Sequence, residues 1–186
     1  MKKRFAIIGN PISHSLSPVL HNYWYKKYKI EADYSLMNIE ERDLKSVTEK
    51  IRNKELDGIN ITLPYKQKII PYLDQLINDA KLTNSVNTVF LDSSNVLIGE
   101  NTDCYGLQAA YLKEIIDVDN KKALVMGAGG VSPSVILALK KSKIQKITLT
   151  NRTYEKSFFL KKNFNFIDTI KWENLENEIP NFDIIV

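Results

Sequence analysis

The chain has 186 residues, of which 44% are hydrophobic and 26% are charged, and its 26 basic and 22 acidic side chains leave a net charge of +4. These fractions are typical of a globular protein, and they exclude a disordered, collagen-like or coiled-coil chain. The length suits one large domain or two small ones.

The cysteine count and the apolar runs indicate where the protein works. Cys104 is the single cysteine and cannot form a disulfide within the chain, so nothing requires an oxidising compartment. The apolar run Phe5–Ile8 is too short for a signal peptide, and no run approaches the roughly 20 residues of a membrane span. Because basic and acidic residues are interspersed, we also expect no nucleic-acid partner. The sequence therefore predicts a cytoplasmic protein with no membrane partner.

Strands and helices alternate in the first half of the chain. The run Phe5–Ile8 predicts a buried strand, and Ser17 and Pro18 then predict a helix, with the serine as N-cap and the proline in the first turn. The expected apolar face of this helix consists of Val19, Leu20, Tyr23, Trp24 and Tyr28. Further strands are predicted at Tyr34–Ile39, Gly58–Thr62, Val86–Leu91 and Val96–Ile98, the last two as a hairpin, and helices at Arg42–Lys54 and in short pieces between Lys66 and Ala80.

The second half alternates more clearly. A helix is predicted from about Tyr105 to Ile116, and the domain boundary is placed at this helix, which gives domains 1–103 and 104–186. Strands follow at Lys122–Met126, Lys146–Thr150, Phe166–Ile170 and Phe182–Val186, with helices at Val131–Lys141 and Tyr154–Lys162. Such alternation is typical of a parallel sheet covered on both faces. We therefore expect an α/β protein with mainly parallel sheets.

A glycine-rich loop joins the strand Lys122–Met126 to the next helix. Its residues are Gly127, Ala128, Gly129, Gly130 and Val131. In a dinucleotide-binding loop the first glycine permits a tight turn, the second lets the backbone approach the pyrophosphate, and the helix N-terminus supplies free N–H groups. The third small position is Ser132 here, and the alternative is an ordinary strand-to-helix turn. With its flanking strand and helix, the loop predicts a dinucleotide site.

The end of the next strand bears on which dinucleotide binds. About 20 residues after the glycine loop, an NAD enzyme places an acidic residue that binds the ribose 2′-hydroxyl. This chain has Asn151, Arg152 and Thr153 instead. No carboxylate there repels a 2′-phosphate, and the Arg152 guanidinium can pair with it and stack on the adenine. NADP is therefore favoured over NAD, and the alternative is a solvated arginine at the start of a helix.

Polar residues of the first half are candidates for binding a small anion. Ser15 and Ser17 bracket the start of a helix, where hydroxyls and free N–H groups can bind a carboxylate, and simple helix capping is the alternative. Asn60 and Thr62 face the side of their strand opposite the apolar residues. Lys66 follows just beyond the carboxyl end of that strand, where open α/β sheets bind ligands, and its alternative is a solvated surface lysine.

Several segments together resemble the motifs of the shikimate dehydrogenase family. They are Gly9–Pro18 followed by His21-Asn22, Asn60–Lys66, Val86–Thr88, Gly99–Asp103, the loop at Gly127, and Asn151–Thr153. These segments occur in the family's order along the chain. The resemblance implies an N-terminal substrate-binding α/β domain with a mainly parallel sheet, followed by a Rossmann NADP-binding domain that we expect to be incomplete here, truncated at its C-terminal end.

The resemblance implies NADPH-dependent reduction of 3-dehydroshikimate to shikimate, in the biosynthesis of aromatic amino acids. By the family pattern, Ser15 and Ser17 bind the substrate carboxylate, and Asn60, Thr62, Asn87 and Asp103 bind ring hydroxyls. Lys66 matches the catalytic lysine, paired with Asp103. An ammonium group suits this role because it can neutralise and protonate the alkoxide that forms when a ketone receives hydride. We expect no metal site, because His14 and His21 are the only histidines and lack ligand partners.

Two other functions are weighed against this one. A quinate/shikimate dehydrogenase that uses NAD is the nearest, and Ser15, Ser17 and Arg152 disfavour it. The other is a non-catalytic NADP-binding regulatory module, since four strands are predicted in the second domain where a complete Rossmann domain has about six. We expect the 186-residue chain alone to turn over shikimate negligibly. We also expect this chain alone to self-associate through its last strand. The enzyme itself is expected to be a monomer or homodimer.

Overall fold

The computed structural model describes residues 2–112, 118 and 120–186, and the chain divides into two compact units, Met1–Asn101 and Thr102–Val186. Each unit has its own sheet and its own hydrophobic core. The predicted α/β class with mainly parallel sheets is confirmed. No helix in the described part of the chain is long and apolar enough to cross a membrane.

The first unit contains one six-stranded sheet. Its strands are β1 (Lys3–Gly9), β2 (Ala32–Asn38), β3 (Gly58–Ile61), β4 (Gln75–Leu76), β5 (Thr88–Leu91) and β6 (Leu97–Glu100). They are arranged in the order β2-β1-β3-β5-β6-β4. β1 lies parallel to both β2 and β3, whereas β5 runs antiparallel to β3 and, as predicted for the hairpin, to β6.

The strand β4 lies where only short helices were predicted, so that prediction is wrong at this point. β4 pairs in parallel with β6, and hydrogen bonds at both of its ends hold it there: the Asp74 N–H donates to the Leu97 carbonyl and the Ile77 N–H to the Gly99 carbonyl, each at 3.0 Å. A strand of two residues is too short to show an alternating apolar pattern, so the sequence does not predict it. β4 forms because it pairs with β6.

Three α-helices accompany this sheet: α1 (Ser17–Lys27), α2 (Leu44–Arg52) and α3 (Asn78–Thr83). The apolar spacing that predicts α2 is confirmed, because Leu44, Val47 and Ile51 are all buried. Their partners in the core include Ile8, Ile59, Ile61 and Leu97 of the sheet. The main core of the unit therefore lies between α2 and the sheet.

The predicted apolar face of α1 is wrong. No residue of α1 is buried, and Val19 and Tyr23 are 71% and 56% exposed. The helix contacts β2 with its other face instead: His21 stacks on the Tyr34 ring with 4.1 Å between ring centroids, and Asn22 hydrogen-bonds to the Tyr34 backbone. A polar and aromatic contact thus replaces the expected apolar one and leaves most of the hydrophobic face exposed.

An ion pair joins α2 to the segment just before β4. The Arg52 guanidinium donates two hydrogen bonds of 2.8 Å to the two carboxylate oxygens of Asp74. The Leu97 N–H adds a third hydrogen bond of 2.8 Å to the same carboxylate. The bonds from Arg52, followed by the one from Leu97, lower the pKa of Asp74 to about 2.

We expect Asp74→Asn to remove an acid-sensitive part of the stability. The folded-state pKa of about 2 lies below the usual value of 3.8, so the stabilisation is complete above about pH 4 and is lost as the pH falls through about 2. The melting temperature of the variant should lie below that of the wild type at neutral pH, and the difference should vanish near pH 2. Asp33→Asn, at an exposed carboxylate paired with Lys2, is the control. A difference that stays constant down to about pH 2 would contradict this account.

The second unit contains a four-stranded sheet whose strands are all parallel, as predicted. The strands are β7 (Lys122–Met126), β8 (Lys146–Thr150), β9 (Asp168–Thr169) and β10 (Ile184–Ile185), in the order β10-β7-β8-β9. β9 and β10 are shorter than predicted. Hydrogen bonds from Asp183 to Lys122 and from Val186 to Leu124, both of 2.9 Å, nevertheless extend the contact of the β10 segment with β7.

Among the described residues of the second unit, the α-helices are α4 (Asp103–Leu107), α5 (Ser132–Lys141), α6 (Tyr154–Asn163) and α7 (Leu175–Glu178). α4 continues as a π-helical turn over Gln108–Leu112, and residues 113–116 of the helix predicted there lie outside the described residues. The boundary predicted at 103 and 104 falls on the first residues of α4. Buried Ile136 and Leu139 of α5 pack in one core with Leu149 of β8.

Candidate active site

The parallel strands β1 and β3 end side by side, at the edge that carries several predicted substrate residues. The Thr62 N–H donates to the Ile8 carbonyl at 3.0 Å, and the Asn10 N–H donates to the Leu63 carbonyl at 3.2 Å. Gly9 lies so close to Thr62 that a Cβ would be 2.7 Å from the Thr62 methyl group, so a larger residue at position 9 would displace Thr62. Thr62 is therefore held at the carboxyl end of the sheet, where open α/β sheets bind their ligands.

Ser15 and Ser17 lie at the start of α1, but the N-cap assignment was wrong. Ser17 is the first residue of the helix, and Leu16 occupies the N-cap position. The Ser17 N–H donates to Ser15 Oγ at 3.3 Å, because a turn closed by the Ser15 N–H and the Ile12 carbonyl (2.9 Å) folds Ser15 over the helix end. The capping role expected of Ser17 therefore belongs to Ser15.

Asn60 lies at the centre of a hydrogen-bonded group. Its Oδ1 accepts a hydrogen bond of 2.7 Å from the Tyr34 hydroxyl, and its Nδ2 donates to the Asn87 carbonyl at 3.2 Å and to Thr88 Oγ1 at 3.1 Å. The Thr88 hydroxyl in turn donates to Asn87 Oδ1 at 3.0 Å. The structure thus brings together two predicted substrate residues, Asn60 and Asn87, from different strand segments.

The backbone of Lys66 is tied to the segment that leads into β5. The Val86 N–H donates to the Lys66 carbonyl at 2.8 Å. The preceding residue, Tyr65, is buried and donates its hydroxyl to the Ile39 carbonyl at 2.7 Å, which anchors the turn that carries Lys66. The Lys66 side chain is half-buried. Asp103 is the first residue of α4 in the second unit, and its pairing with Lys66 stays a prediction.

The predicted dinucleotide loop follows β7. Gly127 has a φ of +125°, a conformation that L side chains rarely adopt, and its N–H donates to the Thr150 carbonyl at 2.8 Å. A Cβ on Gly127 or Gly129 would meet nothing within 4 Å, so the backbone of the loop borders open space. The loop therefore has the sharp turn, and beside its glycines the open space, that suit the close approach of a pyrophosphate group.

Ser132 holds this loop in shape. Its hydroxyl donates to the Gly127 carbonyl at 2.8 Å and accepts the Gly129 N–H at 2.9 Å. Gly130 and Val131 complete the loop, and Val131 is the N-cap residue of α5. Ser132 thus occupies the third small position of the loop. Where a glycine would allow close packing, the serine makes two hydrogen bonds within the loop.

The end of β8 is hydrogen-bonded to the same loop. Asn151 Oδ1 accepts the Ala128 N–H at 3.1 Å, and Asn151 Nδ2 donates to the Thr153 carbonyl at 2.8 Å. Arg152, between these two residues, is exposed, and the segment 150–153 contains no acidic residue. The open backbone of the loop and an exposed guanidinium beside it fit a dinucleotide with a 2′-phosphate.

Sequence reasoning missed the roles of Tyr34 and Asn22. Tyr34 donates to Asn60, and Asn22 bonds to the backbone of Tyr34. Tyr34 was predicted only as a strand residue, and Asn22 only as part of a motif. The one available signal was Asn22 itself, because asparagine is a poor helix former and a position inside a helix suggests that its side chain has a partner.

Comparison with known proteins assigns the chain to a family. Residues 7–89 match the shikimate dehydrogenase substrate binding domain, and residues 110–186 match shikimate / quinate 5-dehydrogenase. The shikimate dehydrogenase (NADP(+)) of Pelagibacter ubique strain HTCC1062 is 48% identical over 186 residues, which are 100% of this chain and 68% of that protein.

Solved structures agree with this assignment. A shikimate dehydrogenase from Aquifex aeolicus superposes with a TM-score of 0.90 at 35% identity, over 99% of this chain and 67% of that one. A shikimate 5-dehydrogenase from Thermus thermophilus, in complex with NADP(H) and shikimate, has a TM-score of 0.85 at 30% identity, over 94% of this chain and 65% of that one.

The fold and the two candidate sites define an α/β oxidoreductase whose second unit is Rossmann-like. The chain belongs to the shikimate dehydrogenase family. The resemblance drawn from its motifs is therefore confirmed.

Proposed function

We propose that the protein catalyses the NADP-dependent interconversion of 3-dehydroshikimate and shikimate, a step in the biosynthesis of aromatic amino acids. The observation that carries this proposal is that Lys66 is tied to the segment of Asn87, which in turn binds Asn60. A lysine whose backbone is hydrogen-bonded to the segment that leads to Asn87 suits a polyhydroxylated substrate whose ketone oxygen must be protonated. The 48% identity to the Pelagibacter ubique shikimate dehydrogenase (NADP(+)) supports the same activity.

In this proposal, different side chains bind the carboxylate and the hydroxyl groups of the substrate. Ser15 and Ser17 bind the carboxylate, and Asn60, Thr62, Asn87 and Asp103 bind hydroxyl groups. Serine hydroxyls at a helix start suit a carboxylate because they donate hydrogen bonds where the helix dipole is positive. Amide side chains suit hydroxyl groups because they can both donate and accept.

The glycine loop and the end of β8 would hold NADP. We assign the pyrophosphate to Gly127, Ala128, Gly129, Gly130 and Val131, and the ribose with its 2′-phosphate to Asn151, Arg152 and Thr153. The nicotinamide supplies or accepts the hydride when the cofactor is bound. The Arg152 guanidinium pairs with the 2′-phosphate, and Asn151 keeps the loop and this segment together through its bond to Ala128.

Lys66 would act as the general acid and base. When the ketone carbon receives hydride, an electron pair of the C=O bond moves to the oxygen, and the Lys66 ammonium donates a proton to that oxygen. In the reverse direction the neutral amine removes the hydroxyl proton as hydride leaves the carbon. The Asp103 carboxylate would pair with Lys66 and hold its side chain in position.

We further propose that residues 1–103 form the substrate-binding domain and residues 104–186 the cofactor domain. The two family matches, to residues 7–89 and 110–186, support this division because they lie on either side of it. The single cysteine supports a cytoplasmic location, where thiols stay reduced. We propose a monomer or homodimer as the oligomeric state.

Replacing the two serines separately should distinguish substrate binding from helix capping. Ser15→Ala removes the acceptor of the Ser17 N–H, so we expect a loss of about 0.5–1 kcal/mol of folding free energy together with weaker shikimate binding. Ser17→Ala should weaken shikimate binding while the melting temperature stays nearly unchanged. Thermal melting and a shikimate titration of each variant measure both effects. If the variants bind shikimate as the wild type does, the serines have only a structural role.

Oxidation of shikimate, followed by the absorbance of NADPH, tests the proposed activity. With the enzyme expressed from its complete reading frame, we expect kcat/KM to be at least about 10-fold higher with NADP than with NAD, and with shikimate than with quinate. Comparable oxidation of quinate with NAD would instead support a quinate/shikimate dehydrogenase. Tight NADP binding without any turnover would support a non-catalytic NADP-binding module.

A further inference from the structure

Tyr34 connects α1 to the side chain of Asn60. Tyr34 lies on β2 and is only 5% exposed. Its hydroxyl donates the 2.7 Å hydrogen bond to Asn60 Oδ1, the shortest of the three hydrogen bonds that the Asn60 amide makes in the described part of the chain. The two side chains reach each other across β1, because β1 pairs with β2 on one side and with β3 on the other.

The partners of Asn60 fix the orientation of its amide. Asn60 Nδ2 faces the Asn87 carbonyl, which can only accept, so the amide cannot be reversed without setting two oxygens against each other. One Nδ2 hydrogen is used by that carbonyl and the other by Thr88 Oγ1. Asn60 Oδ1 has two lone pairs, of which the Tyr34 hydroxyl takes one. The other lone pair can accept a hydrogen bond from a bound hydroxyl group.

Tyr34 is itself held firmly by α1. Asn22 Oδ1 accepts the Tyr34 N–H at 2.9 Å, and Asn22 Nδ2 donates to the Tyr34 carbonyl at 2.8 Å. The ring of His21 stacks on the Tyr34 ring, with 4.1 Å between centroids and an angle of 2° between the planes. Two adjacent residues of the helix that begins at Ser17 therefore fix both the backbone and the ring of Tyr34.

The charge states of the two rings suit this arrangement. Burial raises the pKa of the Tyr34 hydroxyl, which therefore keeps its proton and remains a donor to Asn60. Burial also lowers the pKa of His21, so its ring is neutral at pH 7 where it stacks on Tyr34. The hydrogen bond to Asn60 and the stacked pair are thus both maintained at neutral pH.

We propose that Tyr34 is a positioning residue for substrate binding: its hydroxyl holds Asn60 Oδ1 as an acceptor for a substrate hydroxyl and links the helix that begins at Ser17 to that acceptor. This inference rests on the proposed function, since it takes shikimate as the substrate. Beyond the proposed function, it specifies that the substrate hydroxyl donates the hydrogen bond and that Asn60 Oδ1 accepts it. A substrate analogue without a donating hydroxyl at that position therefore loses the contact.

Tyr34→Phe tests the proposal because it removes only the hydroxyl and keeps the ring that stacks on His21. In the enzyme expressed from its complete reading frame, we expect the KM for shikimate to rise about 5- to 15-fold, with kcat within about 2-fold and the KM for NADP unchanged. Tyr23→Phe is the matched control, since it removes the hydroxyl of an exposed tyrosine on the same helix, α1. The control should leave both KM values unchanged.

The combination with Asn60→Ala shows whether Tyr34 acts through Asn60. If it does, Tyr34→Phe raises the KM for shikimate in the wild type and adds no further rise in the Asn60→Ala background. An unchanged KM in Tyr34→Phe, or an equal rise in both backgrounds, would overturn the proposal. In either of these cases the wild type still oxidises shikimate with NADP, whereas a failure of the proposed function would show as a wild type without that activity.

Discussion

Lys66→Ala should lower kcat for shikimate oxidation by about 10² to 10⁴, the usual range for loss of a general acid or base. The KM for shikimate should change much less, because the proton transfer is made in the transition state and the hydroxyl contacts remain. Lys68→Ala is the control, since Lys68 is a nearby exposed lysine in an ion pair with Glu41. Steady-state kinetics of both variants measure the effect. A Lys66→Ala enzyme with the kcat of the wild type would remove Lys66 from the mechanism.

Lys66→Arg separates proton transfer from charge. Arginine keeps the positive charge but does not give up its proton at accessible pH, so it cannot act as an acid and base. We expect Lys66→Arg to lose nearly as much kcat as Lys66→Ala. A Lys66→Arg enzyme that keeps most of the activity would mean that position 66 contributes charge and not a proton.

Arg152→Ala should weaken NADP binding by roughly 1.5 to 3 kcal/mol, the range of a charge-assisted contact, which corresponds to about 10- to 150-fold in Kd. NAD binding should change much less, because NAD lacks the 2′-phosphate that the guanidinium binds. Fluorescence or calorimetric titrations with both cofactors measure the two constants. Lys156→Ala, at an exposed lysine of α6, is the control for general loss of positive charge. Equal losses for NADP and NAD would show that Arg152 does not recognise the phosphate.

The fold was predictable from the sequence where the apolar residues that form a periodic pattern are buried in the core. The spacing of Leu44, Val47 and Ile51 predicts α2 because all three residues enter the core. The same reasoning is wrong for α1, where apolar residues such as Val19 and Tyr23 are exposed and a polar face contacts β2. Apolar periodicity finds the face that would gain most from burial, and it cannot detect a helix held by side-chain hydrogen bonds.

The candidate sites were predictable to a similar degree. Strand alternation correctly separates Asn60 from the buried Ile59 and Ile61, and the strand, loop and helix around Gly127 are observed as expected. The bond from Tyr34 to Asn60 was not predictable, because it depends on the order and register of β2, β1 and β3. Contacts between side chains distant in sequence are set by the sheet, which local patterns do not specify.

A crystal structure of the enzyme with shikimate and NADP⁺ would show which side chains bind the substrate. We expect the substrate carboxylate to be hydrogen-bonded to the hydroxyls of Ser15 and Ser17, and a ring hydroxyl to donate to Asn60 Oδ1. We also expect the hydroxyl that is oxidised to contact Lys66 Nζ. Shikimate bound at full occupancy elsewhere, with none of these contacts, would rule out the proposed substrate site.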